Sequence, residues 1–204
     1  MGLLSPTVSI TRYLVKGKLD GSVTDTLIKS LKKKIILDID KSSQERGVGW
    51  TSFESPYLPD FDNFPPVMGS YFIFSLRIDK KNIADKIIKK YFICEMKKKL
   101  LETGREFLSN NEKKMLKDNI KNKLYLSIPA TPNIYDVVWN YEKSALFFFS
   151  NLKNSNEEFE TLFRKSFNLS LIRLFPYSIA DLTAGFSGDE NDILNKLTPT
   201  NFMG

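Results

Sequence analysis

The pattern of the sequence changes abruptly after residue 79, and this change constrains the fold more than any other feature. YFIFSLRI (Tyr71–Ile78) is rich in aromatic and β-branched residues and carries apolar side chains on both faces, so we expect a strand that is covered on two sides. Two segments with helical spacing of apolar residues follow. The first spans roughly Ile83–Glu102 and stops at Gly104, and the second begins at a capping box, Ser109–Glu112. The sequence therefore predicts a helical hairpin over residues 80–129.

Strands and one helix are predicted before this hairpin. Thr7–Leu19 alternates in the manner of a strand, with Ile10, Arg12 and Leu14 on one face. A helix is predicted to start at Ser22 and to end near Asp38. Val48–Phe53 is a further short strand, and a proline-rich loop leads from it to Tyr71.

The segment after the hairpin has a similar make-up. IYDVVWNY and ALFFFS predict two strands joined around Glu142–Ser144. Ser155–Glu158 resembles a second capping box and predicts the start of a helix. LSLIRLFP is a final strand that Pro176 ends, and the acidic tail after it is expected to contain one short helix near Asp189–Leu197.

The order of these elements defines the fold class. The predicted order is β-α-β-β, then the helical hairpin, then β-β-α-β, so we expect an α+β protein made of two antiparallel sheet-and-helix halves. Residues 1–79 and 130–177 form the sheet body, residues 80–129 form a projecting lysine-rich hairpin, and residues 178–204 form the tail.

The positive charge is concentrated in the hairpin. The whole chain of 204 residues has a net charge of +6. Residues 80–127 contain 14 lysine and arginine residues against six acidic ones, a surplus of +8, and the rest of the chain sums to −2. A basic segment of this kind favours an anionic partner or a well-solvated face.

Catalytic chemistry finds little support in the composition. The chain has no histidine and one cysteine, Cys94, in an apolar helical context, and it contains no phosphate-binding glycine motif. We therefore expect no enzyme activity, no cofactor and no metal. A magnesium-dependent nuclease built on Asp79 and Asp136 is an alternative. The simpler interpretation is that Asp79 pairs with a lysine and that Asp136 faces solvent.

The lysines of the hairpin are the candidate binding residues. Lys113, Lys117 and Lys121 follow one another at i, i+4 and i+8, so like charges form a row on the second helix. Phosphate groups would relieve their repulsion, whereas a solvated face is the competing interpretation. Lysine binds phosphate as a point charge and does not read bases well. The candidate DNA contacts are Arg77, Lys97, Lys98, Lys99, Arg105, Lys113, Lys114, Lys117 and Lys121.

The apolar side of the first hairpin helix gives a second hypothesis, a protein-interaction or dimerisation module. The helix would pack against a second copy of the chain through an apolar stripe. The candidate dimer contacts are Ile87, Tyr91, Phe92, Met96 and Leu100.

The sequence has no secretory signal pattern, and no segment approaches the roughly 20 apolar residues of a membrane-spanning helix. We expect a cytoplasmic protein without a membrane partner, and a single cysteine suits that reducing compartment.

Several segments, taken in order, resemble the RdgC family of bacterial recombination-associated DNA-binding proteins. They are ITRY, VGWTSF, FSLRIDKKNI, YDVVWNYEKSALFF and FRKSFNLSLIRLFP, within Ile10–Pro176. The resemblance implies a non-catalytic, nucleoid-associated homodimer that encircles double-stranded DNA without sequence preference and limits the access of RecA. Family members continue further at the C-terminus and often have proline where this chain has Ala84, so an open dimer or an added subunit is expected here.

Overall fold

The predicted fold class is confirmed. A computed structural model describes residues 2–185 and 187–197, and residues 198–204 of the predicted tail lie outside the described residues. The protein is α+β, with one antiparallel sheet of seven strands plus helices. The strand order is β2-β4-β5-β6-β1-β7, and β3 pairs with β4. The elements are β1 (Thr11–Lys16), α1 (Val23–Lys33), β2 (Arg46–Ser52), β3 (Val67–Met68), β4 (Tyr71–Lys80), α2 (Asp85–Thr103), α3 (Asn110–Ser127), β5 (Thr131–Asn140), β6 (Ala145–Phe148), α4 (Lys153–Phe167), β7 (Ser170–Leu174), α5 (Pro176–Ala184) and α6 (Gly188–Lys196).

The chain divides into two compact units. Within the described part of the chain, the first is drawn from the ranges 1–27, 67–73 and 136–204, and the second from 28–66 and 74–135. The predicted hairpin lies within the second unit. No helix of the described ranges is long and apolar enough to cross a membrane.

In the first unit, strand β1 lies between β6 and β7 and pairs with both in antiparallel register. The strand is shorter than predicted, and it alternates as expected: Arg12 and Leu14 share one face, and Tyr13 and Val15 lie on the opposite, buried face. Helix α4 packs on this buried face. Phe159 is fully buried and lies 5.6 Å from the Tyr13 ring, measured between centroids.

Helix α4 begins before the predicted capping box. It starts at Lys153, with Leu152 at the N-cap and no side-chain cap, so Ser155 and Asn156 lie inside the helix and are buried. The capping prediction was wrong because the helix already begins at Lys153, which places Ser155 inside its first turn. The side-chain amide of Asn156 donates to the carbonyls of Ser150 and Leu152.

A polar network crosses this core at Tyr13. The hydroxyl of Tyr13 lies 2.7 Å from Oδ1 of Asn156 and 2.8 Å from Oε1 of Glu160, and Arg173 donates to the same Glu160 oxygen at 2.6 Å. Burial, and secondly the hydrogen bond to Glu160, raise the pKa of Tyr13 above its ordinary value of 10.0. The folded state therefore keeps this hydroxyl protonated at pH values where an unfolded chain releases the proton.

We predict that Tyr13→Phe lowers the free energy of unfolding by about 1 kcal/mol at neutral pH, because it removes a buried hydroxyl from its acceptors. The raised pKa gives this contribution a pH limit. It is fully present below pH 10 and is lost as the pH rises further, since the unfolded state then ionises. Urea unfolding at neutral and alkaline pH measures the difference, and Tyr57→Phe, at an exposed site, is the control. A difference between wild type and Tyr13→Phe that does not shrink at alkaline pH would contradict this account.

In the second unit, helix α1 ends at Lys33, five residues before the predicted end near Asp38. The chain turns there to pair with strand β2. The amide of Ile36 donates to the carbonyl of Trp50, and the amide of Trp50 donates to the carbonyl of Lys34. This pairing requires glycine at position 49, since a Cβ atom there would lie 2.4 Å from the Cα atom of Ile36.

The two helix ends at the turn of the hairpin are as predicted. Ser109 and Glu112 form the capping box at the start of α3, and Gly104 has the left-handed conformation at the end of α2. Differences occur elsewhere in the chain. The proline-rich loop contains the two-residue strand β3, and Pro176 begins a helix, α5, in the tail predicted to be loop. The short helix predicted near residues 189–197 is present as α6.

A buried lysine joins the hairpin to the rest of the second unit. Lys81 is 2% exposed, and its ammonium donates to the carbonyls of Asp40, Ser42 and Tyr125 at 2.8, 2.8 and 2.5 Å. Tyr125 lies in the last turn of α3, where helix carbonyls lack partners within the helix. The carboxylate of Asp40 also accepts the amide of Ala130, 2.7 Å away. Together these bonds hold the end of α3 against the segment after α1.

We predict that Lys81→Met lowers the free energy of unfolding by about 2–4 kcal/mol, because it leaves three carbonyls without their donor. Lys80→Met removes the same charge from the neighbouring exposed position and is the control, with an expected change below about 0.5 kcal/mol. Denaturant titration followed by circular dichroism measures both. Equal stability of the two variants would show that the hydrogen bonds of the Lys81 ammonium do not hold the hairpin in place.

Candidate nucleic-acid interface

Lysines from both hairpin helices meet in one groove. The groove has a volume of about 550 Å³. Three predicted DNA contacts, Lys113, Lys114 and Lys117, line it from α3, and Lys89 joins them from α2. We call this site the lysine groove; its lining residues are Asp85, Ile88, Lys89, Phe92, Lys113, Lys114 and Lys117.

These four lysines are not neutralised by the described part of the chain. None of their ammonium groups has a hydrogen-bond or ion-pair partner among residues 2–185 and 187–197. One carboxylate, that of Asp85, lies in the same groove. The groove therefore brings together more positive charge than these ranges balance, and an anion with several charges fits it electrostatically.

The three consecutive lysines near the end of α2 lie outside the lysine groove. Successive residues of an α-helix are turned by about 100°, so Lys97, Lys98 and Lys99 project in three directions. Lys97 and Lys98 are exposed and Lys99 is half-buried. None of the three lines the lysine groove. Lys121, the last member of the predicted row on α3, is also half-buried and is not a lining residue.

Arginine side chains of the predicted set already have carboxylate partners. Arg105 donates to Glu112 at 3.1 Å, and the bonds that Glu112 accepts from Ser109 hold the pKa of Glu112 below its usual range. Arg77 makes a bidentate pair with Asp79, with both nitrogen–oxygen distances 2.7 Å, and its side chain is 15% exposed. We leave Arg77 out of the proposed contacts because its hydrogen-bonding edge is occupied.

The carboxylates considered for a nuclease are also occupied. The partner of Asp79 is Arg77, whereas the sequence predicted a lysine. Asp136 is 8% exposed and accepts the amide of Leu3 at 2.7 Å, so the expectation that it faces solvent was wrong. Within the described ranges, no group of three or more acidic, cysteine or histidine residues is placed to hold a metal.

The predicted apolar stripe of α2 does not form one continuous surface. Ile87 and Tyr91 are each 45% exposed, whereas Phe92, Met96 and Leu100 are half-buried on another side of the helix. Phe92 lines the lysine groove, and Tyr91 lines a second groove of about 490 Å³. We call it the apolar groove; besides Tyr91 its apolar lining residues are Leu116, Ile120, Leu124 and Leu126, and its polar ones are Glu95, Asn119, Asn122 and Lys123.

Two features of the hairpin were not predicted. Lys89 joins the lysine groove, and its position one turn before Phe92 on α2 is a sequence signal that would have suggested this. Cys94 was predicted in an apolar environment but is exposed. In the helical projection Cys94 lies on the same side of α2 as Ile87 and Tyr91.

No protein-family model matches the chain, and no curated protein matches it. The resemblance to the RdgC family thus stays a prediction from the segments quoted above.

Proposed function

We propose that this protein binds double-stranded DNA through its phosphates and without reading base sequence. The observation that carries the proposal is the lysine groove, where Lys89, Lys113, Lys114 and Lys117 present four ammonium groups that have no partner among the described residues. Contacts with phosphates release the counterions of DNA, which supplies a favourable free energy that does not depend on sequence. Lysine suits this role because it binds as a mobile point charge.

The charge distribution and the resemblance to the RdgC family support the same proposal. The hairpin segment has a surplus of +8 while the rest of the chain is slightly acidic, so DNA would approach from the hairpin side. By the RdgC resemblance, the protein acts without catalysis in recombination, associates with the nucleoid and limits the access of RecA to DNA. Lys97, Lys98, Lys99, Arg105 and Lys121 would then add weaker contacts around the groove.

We predict that the triple variant Lys113→Glu, Lys114→Glu, Lys117→Glu loses duplex affinity by about 100-fold or more at low salt. The slope of log affinity against log salt should also become shallower by about 0.9 for each lost phosphate contact. Fluorescence anisotropy with a labelled duplex across a salt series measures both quantities.

The matched control carries three equal charge reversals at exposed sites outside the hairpin, Lys41→Glu, Lys143→Glu and Lys165→Glu. The same loss in both variants would mean that net charge alone drives binding. Unchanged affinity in the hairpin variant would mean that the lysine groove is a solvated surface.

A second candidate function, dimerisation through the hairpin, is favoured by the exposure of Ile87 and Tyr91 and by the apolar groove that Tyr91 lines. The reactivity of Cys94 can report whether this surface is covered, because its thiol is exposed on the same side of α2 as Ile87 and Tyr91.

We predict that the reaction of Cys94 with a maleimide slows as protein concentration rises, because a second copy covers this side of α2. Tyr91→Asp should restore fast labelling at every concentration. Sedimentation velocity on the same samples reports the oligomeric state. A labelling rate that is constant while the protein sediments as a dimer would place the dimer contact elsewhere.

A further inference from the structure

The lysine groove also has an apolar wall, which contact with a phosphate backbone does not require. Ile88 and Phe92 line it beside the four lysines, and Ile88 is 4% exposed. Phe92 is half-buried and is one of the residues that line the groove. The volume of about 550 Å³ falls within the range of roughly 300–1,000 Å³ that is typical of small-molecule sites. A ligand that fills the groove has to offer an apolar or aromatic part as well as negative charge.

The charges of the groove are arranged unevenly. Lys113, Lys114 and Lys117 line it from α3, while Asp85 lies in the first turn of α2. A phosphate is repelled at Asp85 and attracted at the lysines, so a ligand with phosphates at one end and uncharged groups at the other has a preferred orientation. Asp85 accepts hydrogen bonds from hydroxyl groups, which a sugar provides.

From this geometry we infer that the lysine groove binds a single nucleotide unit, with its phosphates on Lys89, Lys113, Lys114 and Lys117 and its base against the ring of Phe92. Aromatic side chains stack on any base, and lysines bind phosphates of any sequence, so the site takes nucleotides without strong base preference. An intact duplex cannot supply this ligand, because its bases are stacked inside the helix. The ligand is either a free nucleoside polyphosphate or a nucleotide at an unpaired strand or end.

This inference goes beyond duplex binding and does not rest on it. The lysines are shared between the two, but Phe92 has no role in contacts with duplex phosphates. Replacement of Phe92 therefore separates the two proposals.

The test measures binding to the full-length chain by isothermal titration calorimetry at low salt. The probes are ATP, inorganic tripolyphosphate and an oligothymidylate single strand. We expect ATP to bind at least about tenfold more tightly than tripolyphosphate, because only ATP has a base to stack. Phe92→Leu keeps an apolar side chain but removes the ring, and it should remove this advantage while tripolyphosphate binding stays unchanged.

Lys89→Met and Lys86→Met form a matched pair on α2, since each removes one positive charge and only Lys89 lines the groove. We expect Lys89→Met to weaken the binding of all three probes several-fold and Lys86→Met to leave it close to wild type. Both side chains are exposed, so this comparison does not depend on whether Phe92→Leu alters folding.

The two sources of the ligand give different results. Tight ATP binding identifies a free nucleotide, whereas oligothymidylate binding that depends on Phe92 without ATP binding identifies an unpaired strand. Equal binding of ATP and tripolyphosphate with no effect of Phe92→Leu on any probe overturns the inference, as does the absence of saturable binding. Duplex affinity in Phe92→Leu is expected to equal that of the wild type, so a failure of the nucleotide proposal leaves the proposed duplex binding standing. Conversely, a failure of duplex binding in the lysine variants does not affect the comparison of ATP with tripolyphosphate.

Discussion

The position of the hairpin depends on one buried ammonium group. Lys81 is the residue directly after β4, and its ammonium group donates hydrogen bonds to three backbone carbonyls. A buried ammonium is costly unless it is hydrogen-bonded, and the carbonyl in the last turn of α3 is costly unless it finds a donor. The ammonium donates and the carbonyl accepts, so both buried groups are hydrogen-bonded, and the bonds hold the C-terminal end of α3 against the segment after α1. The same helix α3 carries Lys113, Lys114 and Lys117 of the lysine groove.

The contrast between Lys81 and the lysines of the groove explains why the hairpin is a binding candidate. One lysine is buried and fully bonded, whereas Lys89, Lys113, Lys114 and Lys117 carry charge that the described part of the chain does not neutralise. Like charges held in one groove repel one another, and the repulsion is relieved by a ligand with several negative charges. Arg77 and Arg105 differ from the lysines of the groove, because each already has a carboxylate partner within the protein.

Predictions from the sequence were correct where neighbouring residues determine the structure and wrong where residues far away in the chain determine it. The capping box at Ser109 and the stop at Gly104 were predicted correctly, since both depend on residues within one turn. The capping box at Ser155 was predicted from the same pattern and was wrong, because the helix begins at Lys153 and buries Ser155 and Asn156, where Asn156 accepts the hydroxyl of Tyr13 from across the core. Which face of β1 is buried also depends on a distant partner, because Phe159 of helix α4 packs against Tyr13.

The candidate site shows the same division. The row Lys113 and Lys117 was visible in the sequence because i, i+4 spacing places residues on one side of a helix. The run Lys97–Lys99 was equally visible, but its three side chains lie on different sides of α2, because consecutive residues of a helix diverge.

By itself, the sequence determined the fold class, the presence of the helical hairpin and the location of the positive charge, because these follow from hydrophobic period, local capping and composition. Only the tertiary structure decided which lysine is buried, which lysines share a groove and that Phe92 lies beside them. Those relations join residues far apart in the chain, and packing between α2 and α3, together with the bonds of Lys81, sets the distances that no local pattern encodes.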